Sequence, residues 1–337
     1  MKRPSVIWAA CLAVPLLGSL PAAAAGSVYG PVSGFVMDAR SHSIRPINGF
    51  PGSATLGTAL SFPLPASLLA AAPGSDYALV TDLHGDGRAL LARGLTSGAP
   101  VVAPLADSIV ASQTRIAASG TAAVLYSQPE ARLQFWSGLP AQPIAAAPVD
   151  ASELSGGLAA MAVDAAGRVA LLIAGDGGIY WAAANGTGLH FIVRLAGASS
   201  ASILPDGQDA MVGNRETGDV VLIRNFTSSG AVTPLTGARD GIRSAVAVAA
   251  LSNSEGGIVD GAGRLAAVSF DSGAVSWMPL AGTADRIDAL SPGIFLLNQT
   301  QTGPLFLLDV TQGRTIYFVP AGNSDSSLQR GRETWKH

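Results

Sequence analysis

A short closing string recurs along this chain at near-constant intervals. It follows an apolar run and ends in glycine or aspartate: Pro104-Leu-Ala-Asp107, Pro148-Val-Asp150, Arg194-Leu-Ala-Gly197, Pro234-Leu-Thr-Gly237, Pro279-Leu-Ala-Gly282 and Val319-Pro-Ala-Gly322. The closures at 107, 150, 197, 237, 282 and 322 are spaced by 43, 47, 40, 45 and 40 residues. A period of this size means one supersecondary unit repeated and stacked, each copy burying its faces against its neighbours.

Each unit divides into four short apolar runs separated by turn residues. One reads Ala160–Val163, a turn at Asp164-Ala-Ala-Gly167, Arg168–Ala174, a turn at Gly175-Asp-Gly-Gly178, Ile179–Ala182, a turn at Asn185-Gly-Thr-Gly188, and Leu189–Val193. Such runs are too short for typical helices, and glycine and asparagine supply the positive φ of tight hairpins. The unit is therefore a four-stranded antiparallel meander. A half-exposed strand alternates polar with apolar residues, yet residues 169–174 and 305–308 are apolar at consecutive positions. Both faces of these strands are buried. Four short strands per 40 to 50 residues, with buried middle strands and alanine-rich first strands, predict an all-β fold, the β-propeller of four-stranded blades.

Six units cover roughly residues 66–322. Upstream, Phe35–Asp38 and Ile44–Ile47 flank a turn at Ala39–Ser43 and form part of a further blade. Its remaining strands come from Ala54–Phe62 or from Ser27–Tyr29. The expectation is seven blades, with six or eight as alternatives, because an open ring would leave bare edges.

Residues 1–25 read as a secretory signal: Lys2 and Arg3, then an apolar stretch from Val6 to Leu20, then Ala23-Ala24-Ala25 ahead of Gly26. A lipid anchor on Cys11 is disfavoured, since more hydrophobic residues follow it. The expected domains are a signal peptide at 1–25, the propeller at 26–322 and a polar tail at 323–337. The expected location is secreted or periplasmic, with no membrane span after cleavage. Composition narrows the classes further. At 48% hydrophobic and 13% charged residues the chain is not disordered. Its single cysteine excludes a disulfide scaffold, and a net charge of −3 leaves no footprint for nucleic acid.

The hairpins Pro205-Asp-Gly207 and Asp260-Gly-Ala-Gly263 give the units a resemblance to the degenerate repeats of exported bacterial propellers of the YVTN, NHL and TolB-like kind. The stretch Ile44–Ala54 similarly resembles a segment of exported propeller-like bacterial proteins of unknown function. That resemblance implies the propeller architecture and export, and supplies no catalytic residue.

Reactive constellations are sparse. Asp82-Leu-His-Gly-Asp-Gly87 has acids at alternate positions, but His84 and Arg93 stand where a calcium loop needs oxygen ligands, so it reads as a turn. His42, His84, His190 and His337 share no metal-ligand spacing. No Gly-x-Ser-x-Gly elbow appears, and Gly175–Gly178 reads as a hairpin rather than a phosphate cradle. No metal and no cofactor are expected. Ligands reach propellers most readily on the face carrying the loops between blades. There the sequence puts Asp107, Arg115, Glu153, Arg239, Asp240, Arg243, Asp285, Arg286 and Asp288. Of these, Arg115, Glu153, Asp240, Arg243, Arg286 and Asp288 are the candidate binding residues, with Arg243, Arg286 and Asp288 expected to line an axial pocket. The functional expectation is a monomeric, exported, non-enzymatic module binding a protein or small molecule on that face. The alternative is a hydrolase or lyase acting on a lactone or glycan in the axial channel.

Overall fold

The computed structural model describes residues 30–38, 43–186, 188–299 and 304–320. The expected signal peptide at 1–25, Ser27–Tyr29, residues 39–42 and the expected tail at 323–337 lie outside the described residues. Seven antiparallel sheets follow one another along the chain. Blade 1 holds β1 (Val32–Asp38), β2 (Ser43–Asn48) and β3 (Thr55–Leu56). Blade 2 holds β4 (Ala66–Ala71), β5 (Tyr77–Asp82), β6 (Ala89–Arg93) and β7 (Val101–Pro104). In blade 3, β8 (Gln113–Ile116), β9 (Ala122–Ser127) and β10 (Arg132–Ser137) are followed by two short strands, β11 (Ile144–Ala145) and β12 (Val149–Asp150). Both pair with β10 and share the outer position.

The next three blades are regular. Blade 4 is β13 (Leu158–Val163), β14 (Val169–Ala174), β15 (Gly178–Ala183) and β16 (His190–Arg194). Blade 5 is β17 (Ala198–Ile203), β18 (Ala210–Asn214), β19 (Val220–Arg224) and β20 (Ala231–Thr236). Blade 6 is β21 (Ala245–Ala250), β22 (Glu255–Asp260), β23 (Leu265–Ser269) and β24 (Val275–Met278). Blade 7 is β25 (Asp288–Ser291), β26 (Ile294–Leu296), β27 (Leu305–Asp309) and β28 (Thr315–Val319). Two single 3-10 turns, Leu95–Ser97 and Ala238–Asp240, are the helical content of the described residues. The six-unit reading begins where β4 begins, and the upstream hairpin is β1 and β2. Of the two sources proposed for the rest of blade 1, Ala54–Phe62 supplies β3.

The core is not one mass. Seven apolar clusters fill the seven interfaces between neighbouring blades. Strand β14 shows how: Ala170, Leu172 and Ala174 face the blade 3 interface, while Leu171 and Ile173 face blade 5. Successive side chains of a strand point to opposite faces, so a strand between two packed neighbours must be apolar throughout. The ring closes where Val36, Ile47 and Ala54 of blade 1 meet Leu290, Leu296, Leu305, Leu307 and Val319 of blade 7.

The innermost strands are built differently. Strand β17 reads Ala-Ser-Ser-Ala-Ser-Ile and is half-buried beyond its first residue. Its polar serines explain why the apolar pattern placed this strand's start at Ala201, three residues late. Side chains here also bridge blades. Gln113 Nε2 donates to the Leu158 carbonyl at 2.7 Å, Arg115 Nε to the Met161 carbonyl at 3.3 Å, and the Ala250 N–H to Ser202 Oγ at 2.9 Å. The outermost strands, facing solvent, expose one large apolar side chain in each of blades 2 to 7: Val101, Ile144, Phe191, Val232, Trp277 and Phe318.

Candidate functional site

Each first strand runs from what we term the upper face to the lower face, so loops between blades lie on the upper face. They are joined there by the turns between second and third strands. The Gly175 N–H donates to the Gly157 carbonyl, Arg215 N–H to Gly197, and Gly261 N–H to Ser244, at 2.9 Å in each case. The upper face therefore consists of paired loops: each loop between blades is joined to the turn between the second and third strands of the blade it enters.

The candidate residues separate on this frame. Glu153 is exposed in the loop from β12 to β13. Arg115 was expected in a loop and instead lies in β8, an innermost strand, where its guanidinium is tied to blade 4. Asp288 is likewise the first residue of the innermost strand β25. Arg286 stands between two acids, with Nε 3.1 Å from Asp285 Oδ1 and Nη1 3.5 Å from Asp288 Oδ2. Arg243 does not join them in any hydrogen bond or ion pair. It lines a cleft of about 410 Å3 with Gly241, Ala262 and Arg264.

Asp240 closes the 3-10 turn at Ala238–Asp240. Its Oδ2 accepts from the Thr236 hydroxyl at 2.8 Å, the Gly237 N–H at 3.3 Å and Arg239 Nε at 3.4 Å. The Thr236 hydroxyl, followed by the Gly237 N–H and the Arg239 guanidinium, holds the Asp240 carboxyl below the usual carboxylate range. Asp150 shifts the same way, led by the Ser152 backbone N–H and then the Ser152 side chain.

Asp107 occupies the left-handed region at φ 62°, which a non-glycine residue enters only at a cost. Buried Gln134 holds this loop. Its Nε2 donates to the Asp107 carbonyl at 3.0 Å, and its Oε1 accepts the Ile109 N–H and Trp136 Nε1, each at 3.1 Å.

The segment Asp82–Gly87 is a turn. Asp82 Oδ1 accepts the His84 N–H at 2.9 Å, and Asp86 Oδ1 accepts the Arg88 N–H at 3.0 Å, so both carboxylates are engaged by their own loop. His190 is exposed and stacks on Trp181, ring centroids 4.1 Å apart. Among the described residues no three His, Cys, Asp or Glu side chains gather as a metal-holding group. No described helix is long and apolar enough to cross a membrane.

One arrangement escaped the sequence reading. Arg264 Nε and Nη2 reach Asp260 Oδ2 at 2.8 and 2.5 Å, Nη2 also donates to the Gly241 carbonyl at 2.8 Å, and the guanidinium lies 4.0 Å from the centroid of the Trp277 ring. The signal for it is the pattern Asp-x-x-Gly-Arg, present at both 164–168 and 260–264.

No protein-family model matches this chain. No curated protein matches it either. Solved structures do. A protein from Lactobacillus plantarum aligns over 86% of this chain and 96% of its own, with 16% identity and a TM-score of 0.57. A chain of the nidogen/laminin complex aligns over 69% of this chain and 90% of its own, with 12% identity and a TM-score of 0.50. At these identities the likeness is one of fold. This chain is a seven-bladed β-propeller.

Proposed function

We propose that this propeller is an exported, non-enzymatic binding module whose upper face receives a protein or small-molecule partner, as in exported bacterial propellers of the YVTN, NHL and TolB-like kind. The observation that carries the reading is the distribution of charge. Among the described residues, the seven innermost strands hold three ionisable side chains, Asp38, Arg115 and Asp288. They do not converge. Asp38 ends β1 at the lower face and pairs with Arg45 at 3.1 Å. Asp288 begins β25 at the upper face, and Arg115 is bound to a backbone carbonyl. A channel hydrolase needs acid, base or metal groups focused on one point. The upper-face loops, by contrast, carry Glu153, Asp240, Arg243, Asp285 and Arg286 on a rigid ring, the arrangement that suits recognition. A partner of nidogen appears in the nidogen/laminin complex, and that complex belongs to a protein sharing only the fold.

The test is capture from the native cell envelope. Purified propeller should retain a partner that a triple variant, Arg243→Glu, Arg286→Glu and Asp288→Lys, does not. Equal capture by both would refute the reading. Turnover of lactones or glycans lost on replacing Arg115 and Asp288 would favour the channel alternative. Export is checked separately, by finding a mature N-terminus at Gly26 in the periplasmic or culture fraction.

A further inference from the structure

The hairpin at 260–264 has a sister within the same chain, and the comparison is informative. In blade 4 the turn from Asp164 to Arg168 is held by the aspartate carboxylate on backbone donors: Asp164 Oδ1 accepts the N–H groups of Arg168 and Val169 at 2.5 and 2.9 Å. Gly167, at φ 70°, makes the left-handed bend. Arg168 is 80% exposed and only brushes Asp164, Nε to Oδ2 3.6 Å. The turn at Asp260 uses the same means: Oδ1 accepts the N–H groups of Ala262 and Arg264 at 3.0 and 2.9 Å, and Gly263 bends at φ 75°. The hairpin therefore does not need its arginine fixed. In blade 6 Arg264 is fixed nonetheless, by the Asp260 carboxylate, the Gly241 carbonyl and the face of Trp277.

What this ordering accomplishes lies in the cleft beside it. Arg264 spends Nε and Nη2 on those partners, and the described residues offer Nη1 no acceptor. Arg243, which lines the same cleft, is exposed and makes no side-chain hydrogen bond or ion pair among the described residues. The adjacent carboxylate, Asp240, is committed to Thr236, Gly237 and Arg239. So a cleft of about 410 Å3 carries two guanidinium groups with unused donors and no lining acid. Guanidinium groups with open donors select planar or tetrahedral oxyanions, which accept paired hydrogen bonds.

We propose that the cleft between the loop joining blades 5 and 6 and the 260–264 turn of blade 6 is a binding site for small oxyanionic molecules, those bearing a carboxylate or a phosphate, with Arg264 as the fixed clamp and Arg243 as the unpaired one. The inference rests on the upper face being the binding face, and adds the ligand's chemistry.

The experiment titrates the purified propeller at low ionic strength with two probes, inorganic phosphate and succinate. Binding is followed by calorimetry and by tryptophan fluorescence, which Trp277 should report. At least one probe should bind with a Kd of about 1 mM or tighter. Arg243→Ala should weaken that binding by about tenfold or more, the worth of a charge-assisted contact. Arg168→Ala, an equal charge change at the sister turn, should leave it unaltered. The probe that binds identifies the group recognised. Weaker wild-type binding, a smaller loss in Arg243→Ala, or an equal loss in Arg168→Ala overturns the proposal. Because these probes need no partner, partner capture can fail or succeed independently.

Discussion

Replacing Gln134 with leucine removes three hydrogen bonds while keeping nearly the same volume. The side chain is 2% exposed and joins β10 to the loop from β7 to β8 through Asp107 and Ile109. Of the groups deserted, the Ile109 N–H and Trp136 Nε1 belong to residues 5% and 3% exposed, so water cannot readily replace the amide. The Asp107 carbonyl sits at an exposed residue and can be solvated. An unsatisfied buried donor costs about 1–3 kcal/mol, so two such donors cost about 2–6 kcal/mol. Relief of the left-handed Asp107 offsets about 1 kcal/mol of this. The net expectation is a loss of about 1–5 kcal/mol, read as a lower urea midpoint at unchanged slope. Hydrogen exchange should localise it, with the Ile109 amide losing protection while amides of blade 5 do not. A Gln134→Leu variant as stable as the parent, or one in which protection falls evenly around the ring, would refute the view that this glutamine anchors the loop.

Other expectations follow from the same geometry. Tyr77, 1% exposed, donates its hydroxyl to the Gly120 carbonyl at 2.7 Å, and burial pushes its ionisation well above the usual tyrosine range. With the folded pKa raised, its stability contribution is complete below the unfolded value of about 10 and fades as pH climbs beyond it. Tyr77→Phe should cost about 1 kcal/mol at neutral pH and reduce unfolding above pH about 10, measured by urea titration at both. Asp240 works in the opposite sense. Its lowered pKa gives a stabilisation present at neutral pH and lost on acidification below the carboxylate range. Thr236→Val should raise the Asp240 pKa, as carboxyl chemical shifts would report. Leu172→Ala, at a fully buried site between blades 3 and 4, should cost about 2–5 kcal/mol in chemical denaturation.

The blades were legible because both of their structural signals are local. Glycine-marked turns set the period, and consecutive apolar residues such as Leu171, Leu172 and Ile173 gave away strands buried on two sides. Innermost strands were read less well, since half-buried serines such as Ser199 and Ser200 blur the apolar boundary. The site was harder still. Arg286 and Asp288 are neighbours in sequence and in space. Arg264 meets Gly241 and Trp277 only because a turn, a loop between blades and the outermost strand β24 converge, which a linear pattern does not reveal. Arg115 was misplaced because a four-residue strand follows its loop directly.

The division of the apolar interior into seven separate walls has a bearing on how this molecule can vary. Each wall is shared by two neighbours and by no others. Damage in one wall is thus a seam opening at a known place, leaving the opposite side of the circle intact. The seam between Val36 and Leu290 is special, for it alone joins segments from the two ends of the described chain. Loosening it would turn the circle into an arc, so tolerance to truncation should be poorest where the chain meets itself.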